Sequence, residues 1–385
     1  MKIVLCSFEY AHLSQKYSGG IGSFMRDYAN ILASNNHDVS VLGLTMTPFS
    51  GFDGKVFVDL YKPFLYSHNM AKIINYPSFF LFPILFILDL IYRLIFSFRV
   101  KKYIKENQVD IIEVHDYKGI ASLFRFVGIK IPIVVRVHGT NNVLTYLNIQ
   151  NKNIISIIHE KIVDHLFDDF IFISFASKKF YEKKFSIKNN SEICYNPSIK
   201  NKDVFDKKTY ESNIIHVCNF GAMSKSKGID IFLDLSNRFV DNSKFHFHLI
   251  GKETPDYPYD ELSQRKNLTY HGLMNRDELI QLIGSFDIFV FPSKFENCPM
   301  SWVEAINSGG VILVSNIDVS KEMVLDSDTG YICDDLDEYE KRLYDLIDNN
   351  LRLKISEQSR SFVDNKFSTE HVLSTSLNFY MKLLR

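Results

Sequence analysis

The chain of 385 residues is 46% hydrophobic and 14% aromatic, enough apolar matter to fill two cores and too much for a disordered polymer. Lysine and arginine number 44 against 45 aspartates and glutamates, so no global positive field recruits nucleic acid, and any anion site must be local. The five cysteines (Cys6, Cys194, Cys218, Cys298 and Cys333) are scattered, without a C-x-x-C pair or metal-spaced histidines, and read as reduced, buried thiols.

Residues 2–8 form an apolar run of strand length. It is too short, and too soon followed by Glu9 and His12, to serve as a secretory leader, so a cytoplasmic protein is expected. Ser18-Gly19-Gly20-Ile21-Gly22-Ser23 comes next, ahead of a helical stripe made by Phe24, Met25, Tyr28, Ile31 and Leu32. Glycines at a strand-to-helix turn let backbone N–H groups approach a phosphate at the positive end of the helix. The spacing matches neither G-x-G-x-x-G nor a P-loop, and a flexible turn reads equally well.

A strand over 38–44 is followed by a greasy segment from 76 to 99. Its apolar run over 79–88 contains Pro83 and gives way to Asp89, Arg93 and Ser97, which share one helix face. Arg99, Lys101, Lys102 and Lys105 follow. The interruptions leave it short of the roughly 20 apolar residues that a bilayer span requires. Two readings stay open: peripheral contact with a membrane through residues 79–105, or a buried helix with a solvated basic end.

Further strands are expected at 110–114, 131–137 and 170–173. The second of these delivers His138 to a strand's carboxyl end, where open α/β sheets bind ligands, although a structural histidine is the blander reading. Asn196-Pro197-Ser198 and the polar stretch 200–212 mark a seam. The alternation then restarts at 214–220, 245–250, 268–270, 287–291 and 311–314. Such alternation predicts an α/β fold of two doubly wound parallel sheets facing a cleft. The expected domains are 1–196, 197–366 and a closing helix over 367–385 with apolar Val372, Leu373, Leu377, Tyr380 and Leu384.

Chemistry concentrates in the second half. Gly221-Ala222-Met223-Ser224-Lys225-Ser226-Lys227-Gly228 follows the strand at 214–220 and precedes a helix; alone it is a polar turn, yet Lys227 there could neutralise a phosphate. The stretch from Phe291 to Ala305 sets Glu296 in the loop after a strand and Glu304 inside the helix that follows, entered at Pro299. Two carboxylates at one sheet edge suit a hydroxyl-rich ligand, each accepting two protons. Asp326-Ser327-Asp328 resembles a metal pair but reads as a turn, and no metal site is expected.

These motifs occur in a fixed order. Gly19-Gly20-x-Gly22, His138-Gly139, Asn196, Lys227-Gly228, and Glu296-x7-Glu304-Ala305 followed by Gly309-Gly310 together resemble the retaining GT-B glycosyltransferases of family 4. The resemblance spans nearly the whole chain, with the Glu-x7-Glu stretch its specific part. It implies transfer of a sugar from a UDP- or GDP-sugar to a hydroxyl of a glycan or lipid-linked acceptor, as in cell-surface polysaccharide synthesis, with retention and without a metal or other cofactor. It gives Glu304 the ribose hydroxyls and Glu296 the donor sugar ring. Amides at Asn297 and Cys298 would face sugar hydroxyls or phosphate. Lys227 and the Gly20–Gly22 loop would hold the diphosphate, His138 would touch the donor sugar, and Leu273 would lie by the base.

One position departs from the pattern. Where the family commonly has Gly-Arg, this chain has Gly221-Ala222, so an arginine that would share the diphosphate charge is missing, and Lys225 lacks its planar fork. A non-catalytic partner subunit and a sugar-nucleotide epimerase are therefore the alternatives.

Overall fold

The computed structural model describes residues 1–12, 20–45, 47–63, 81–140, 143, 145, 153–185, 190–198 and 213–385. The chain separates into two compact units, the first Met1–Pro197 with Thr369–Arg385 and the second Ser198–Ser368.

Unit 1 is built on strands β1 (Lys2–Ser7), β2 (Asp38–Leu44), β3 (Phe49–Asp53), β4 (Val56–Tyr61), β5 (Ile111–His115), β6 (Ile133–Val137), β7 (Asp169–Phe172) and β8 (Asn190–Ile193), in the order β3-β4-β2-β1-β5-β6-β7-β8. Helices α1 (Gly20–Ser34), α2 (Phe82–Asn107), α3 (Ile154–Leu166), α4 (Phe175–Phe185) and, from the far end of the chain, α12 (Thr369–Leu383) complete it. All pairings but one are parallel. The exception is β3, an edge strand the sequence reading did not place, which runs antiparallel to β4. Gly54-Lys55 make the two-residue turn of this hairpin, with Gly54 at φ 62°, the left-handed geometry such turns favour. Asp53 also accepts hydrogen bonds from Tyr10 Oη (2.9 Å) and Arg26 Nε (2.8 Å), fastening the turn to α1.

Unit 2 carries β9 (Ile215–Phe220), β10 (Phe245–Ile250), β11 (Leu268–Gly272), β12 (Ile288–Phe291), β13 (Val311–Ser315) and β14 (Tyr331–Cys333), all parallel, in the order β11-β10-β9-β12-β13-β14. Its helices are α5 (Ile229–Arg238), α6 (Tyr259–Ser263), α7 (Arg276–Ile283), α8 (Met300–Asn307), α9 (Ser320–Met323), α10 (Leu336–Asp345) and α11 (Asn349–Lys366). Both sheets are doubly wound. Strand order reverses between β1 and β5 in one and between β9 and β12 in the other, and ligands enter such sheets at that point.

α12 is held to unit 1 through a charged core. Arg136 on β6 and Glu113 on β5 are fully buried and pair through two bonds, Nε to Oε1 at 2.8 Å and Nη2 to Oε2 at 3.1 Å. Ser376 of α12 accepts from Arg136 Nη2 at 3.1 Å, Tyr380 donates to Glu113, and Tyr28 of α1 meets Tyr380 at 3.0 Å. The guanidinium also lies 4.7 Å from the Tyr28 ring centre.

α2 is unusual. Its inward face carries Asp89, Arg93 and Ser97, all buried, so the residues that interrupt the greasy run are the ones the fold encloses. Arg93 pairs with Asp89 and donates to Gly119 O (2.8 Å), while His159 of α3 stands 3.1 Å from Asp89. Burial alone would raise the Asp89 pKa, but Arg93 and His159 hold it down to about 2. The neighbouring Phe79 and Phe80 lie outside the described residues.

Removing one partner from a buried pair strands the other. Arg136→Met is expected to lower the stability of unit 1 by about 3–5 kcal/mol, read as a shift in its urea midpoint. A loss below about 1 kcal/mol would show that the pair is not what anchors α12.

Candidate functional site

In unit 2 the chemistry gathers where the sheet splays. β9 and β12 pair only at Ile288–Val217 and Phe289–Cys218. Past that, Asn219 takes over from the ladder by donating its side-chain amide to Val290 O at 2.7 Å. The loops that leave the two strands are then locked together. Lys294 N–H donates to Ser226 O at 2.8 Å, and Gly228 sits so close to Pro292 that a β-carbon would fall 1.9 Å from the proline carbonyl oxygen. Gly228 also has φ 69°, so the position excludes a side chain twice over.

This lock sets Lys227 against Glu296. The ammonium donates to Glu296 Oε1 at 2.6 Å, and Ser293 Oγ donates to the same oxygen at 2.9 Å. The Glu296 side chain is only 9% exposed, whereas that of Lys227 is 38% exposed. The bond leaves part of the lysine head group exposed, where a second anion can reach it. Asn297 is half-buried and Cys298 buried in the same loop.

Glu304 lies in α8, which starts at Met300 with Pro299 as the preceding cap residue, one position later than expected. It faces Arg276 at the start of α7, 3.4 Å away. Leu273 is exposed just past Gly272. His216, His248 and His271 form a row across β9, β10 and β11 leading to that turn, with nitrogen contacts of 2.9 and 3.0 Å. Burial lowers His248 to about 3 and also lowers His271. Among the described residues no three acidic, histidine or cysteine side chains group as a metal site. Asp326 instead accepts the Ile332 N–H at 2.9 Å and shapes its turn.

The polar cluster in unit 1 lies at the carboxyl ends of β5 and β6. Buried Asp116 accepts the backbone N–H of His138 (2.9 Å) and of Gly139 (3.1 Å), together with the Tyr181 hydroxyl (3.1 Å). Burial is the main cause that lifts its pKa to about 7, over the opposing effect of those donors. The His138 ring stacks on His115 with centroids 4.5 Å apart. Burial, with help from Arg136, lowers His115 to about 3, and burial also depresses His138. Gly20 opens α1, and Gly22, buried in its first turn, accepts the Ala11 N–H at 3.1 Å. Ser18 and Gly19 lie outside the described residues.

Thus Lys227 and Glu296 are brought together, and Glu304 acquires a partner in Arg276. Sequence reasoning missed Arg276, Asp116 and Lys118, whose backbone N–H donates to Glu160 Oε1 at 2.9 Å. Asp116 was within reach, since it follows a predicted strand just as His138 does. Arg276 stands in no motif, and only the fold reveals it.

Residues 18–197 match the family described as Glycosyltransferase Family 4, and residues 200–362 match that described as Glycosyl transferases group 1. An uncharacterized 41.2 kDa protein in the cps region of Klebsiella pneumoniae is 24% identical over 300 residues, 72% of this chain and 80% of that one. An alpha-galactosylglucosyldiacylglycerol synthase of Streptococcus pneumoniae is 26% identical over 174 residues, 43% of this chain and 45% of that protein. Among solved structures, sucrose-phosphate synthase from Thermosynechococcus elongatus gives a TM-score of 0.77 at 15% identity, covering 99% of this chain and 98% of that one. HepE of Anabaena in complex with UDP and glucose gives 0.69 at 15% identity, covering 99% and 100%. At such identity these structures speak for the fold, which is GT-B.

The unit 1 cluster makes a pH signature. His115 binds a proton near pH 6.5 when unfolded but only at about 3 when folded. Its contribution to stability is therefore full above the unfolded value and is lost as pH falls toward 3, by about 1.4 kcal/mol per pH unit. Asp116, raised to about 7, acts in the opposite direction, so the comparison must be between variants. His115→Leu should flatten the fall in urea midpoint between neutral and mildly acid pH relative to the parent. Parallel curves would refute the assignment.

Proposed function

Because the chain carries the Family 4 and group 1 domains of a GT-B glycosyltransferase, we propose that it transfers a sugar, with retention at the anomeric carbon, from a UDP- or GDP-sugar to a hydroxyl of a glycan or lipid-linked acceptor. The observation that carries the proposal is the Lys227–Glu296 pair, 2.6 Å apart at the switch point of unit 2, with Glu304 on the helix that follows.

In this reading the nucleotide ribose binds Glu304, whose carboxylate accepts both hydroxyl protons while Arg276 fixes its orientation. The donor sugar lies against Glu296 and the amides of Asn297 and Cys298. As the glycosidic C–O bond lengthens, negative charge grows on the diphosphate and positive charge on the anomeric carbon. Lys227 and backbone N–H groups stabilise the first, and Glu296 faces the second. These groups take the place of a metal ion in balancing the charge. Lys225, on the same short turn as Lys227, provides a second positive charge where Ala222 provides none. Losing a charge-assisted phosphate contact costs about 1.5–3 kcal/mol, which slows transfer without abolishing it.

In unit 1, His138, half-buried beside the buried Asp116 and His115, would touch the donor sugar through its hydroxyls. We place the protein in the cytoplasm, working on surface polysaccharide or glycolipid precursors, in peripheral contact with the membrane through residues 79–105. That relatives include a cps-region protein and a glycolipid synthase supports this setting.

Titration calorimetry with UDP and with GDP, followed by NMR of the product's anomeric proton, tests the proposal. One nucleotide should bind, and Glu304→Ala should weaken it by about ten- to a hundredfold, the equivalent of 1.5–3 kcal/mol. Undiminished binding would remove the donor site from Glu304, and an inverted product would remove retention. Nucleotide binding without transfer to any acceptor, traced to Ala222, would leave the non-catalytic reading.

A further inference from the structure

α2 is inverted with respect to water. A surface helix normally turns its charged side outward, yet along 84–98 Asp89 and Arg93 are enclosed and the outer side is apolar. Ile84, Ile87, Ile91, Leu94, Ile95 and Phe98 are between 39% and 58% exposed. Their spacing sets them on one face, and from Ile84 to Phe98 the stripe is about 21 Å long at 1.5 Å per residue. The same face then continues with Lys101, Lys102 and Lys105, all exposed. Glu106 approaches Lys102 (3.8 Å), leaving the cluster net positive.

A second helix extends the patch. α3 lies alongside α2, with Ile155 in one cluster with Leu85 and Tyr92, and Phe86 stacked on His159 at 5.9 Å. Its outer side presents Ile154, 47% exposed. Ile158, Ile162 and Leu166 line an open groove of about 420 Å³ with Phe126, rimmed by Lys161 and His165. Phe126 is itself 70% exposed. Lys101 Nζ donates to Val127 O at 2.7 Å, which fixes the basic end of the α2 stripe beside Phe126.

Scattered surface leucines need no explanation, but a continuous apolar stripe with a basic border does. A second copy of this face would repeat its lysines and bring no acidic patch to meet them. A bilayer with anionic headgroups offers an apolar interior for the isoleucines and negative charge for the lysines. Among the described residues no helix is long and apolar enough to cross a membrane, so the contact is interfacial.

We propose that α2, the outer side of α3 and Phe126 form one docking face on which the protein lies against a bilayer containing anionic lipid. This deepens the membrane contact in the reading above by naming its surface and lipid class, and it is independent of the transfer chemistry.

The test is co-sedimentation of the full chain, without nucleotide sugar, with vesicles of phosphatidylcholine alone and with about one-third phosphatidylglycerol. The protein should partition onto the anionic vesicles. Lys102→Gln and Lys105→Gln should each reduce partitioning about fivefold, the effect of one basic residue near a charged surface. The triple variant Ile87→Ser, Ile91→Ser, Leu94→Ser should reduce it more than tenfold, while the protein still unfolds in one cooperative thermal transition, because all three side chains are exposed on the outer side. Failure of the parent to sediment, or equal partitioning by parent and variants, overturns the proposal. So does a dimer in light scattering that the triple variant dissociates, since the face would then serve self-association. Loss of transfer activity with docking intact would count against the reaction assignment only.

Discussion

The contact between Gly228 and Pro292 is the constraint on which the site in unit 2 depends. Strands β9 and β12 part after two paired positions, and without a tie the loops that follow would move independently. The tie is steric and polar at once. A glycine with φ 69° admits the Pro292 carbonyl to its α-carbon, and one backbone hydrogen bond from Lys294 to Ser226 closes the join. Such a bond contributes only about 1 kcal/mol, but it fixes the registry from which Lys227 reaches Glu296 across 69 residues of sequence. Charge placement follows from backbone packing, which is how a preorganised electrostatic site differs from a chance surface ion pair.

Unit 1 shows a related arrangement. Buried Arg136 and Glu113 join two central strands and bring in α12, so the last helix of the chain completes the core begun by the first strand. One strand end further along, Asp116 holds the His138–Gly139 backbone and His115 supports the His138 ring. Each unit therefore gathers polar side chains at strand carboxyl ends near its switch point, where open α/β sheets bind ligands.

Much of this was legible in the residues, and the exceptions have physical causes. Central parallel strands are covered on both faces, so the apolar runs at 2–8, 38–44, 245–250 and 311–314 announce β1, β2, β10 and β13 to within a residue at either end. The β3–β4 hairpin was missed although Asp53-Gly54 is a turn signal, because Ser50, Gly51 and Asp59 dilute the apolar alternation around it. Strands β8 and β14, with four and three residues, are too short to show a period. Helix α2 and the shared face of Asp89, Arg93 and Ser97 were legible, but not that this face turns inward to partners distant in sequence, because both sides of the helix carry apolar residues. Of the site residues, Lys227, Glu296 and Glu304 stand in recognisable stretches. Pairing between Lys227 and Glu296, and the presence of Arg276 beside Glu304, arise only from the fold.

In the proposed reaction Lys227 and Glu296 act as one unit upon the donor. A double-mutant cycle of Lys227→Met and Glu296→Gln, read in kcat and in the donor Kd, tests this most directly. Coupled groups predict that the double variant is scarcely worse than the more damaged single variant. Strictly multiplicative losses, or near-parental kinetics in either single variant, would contradict it.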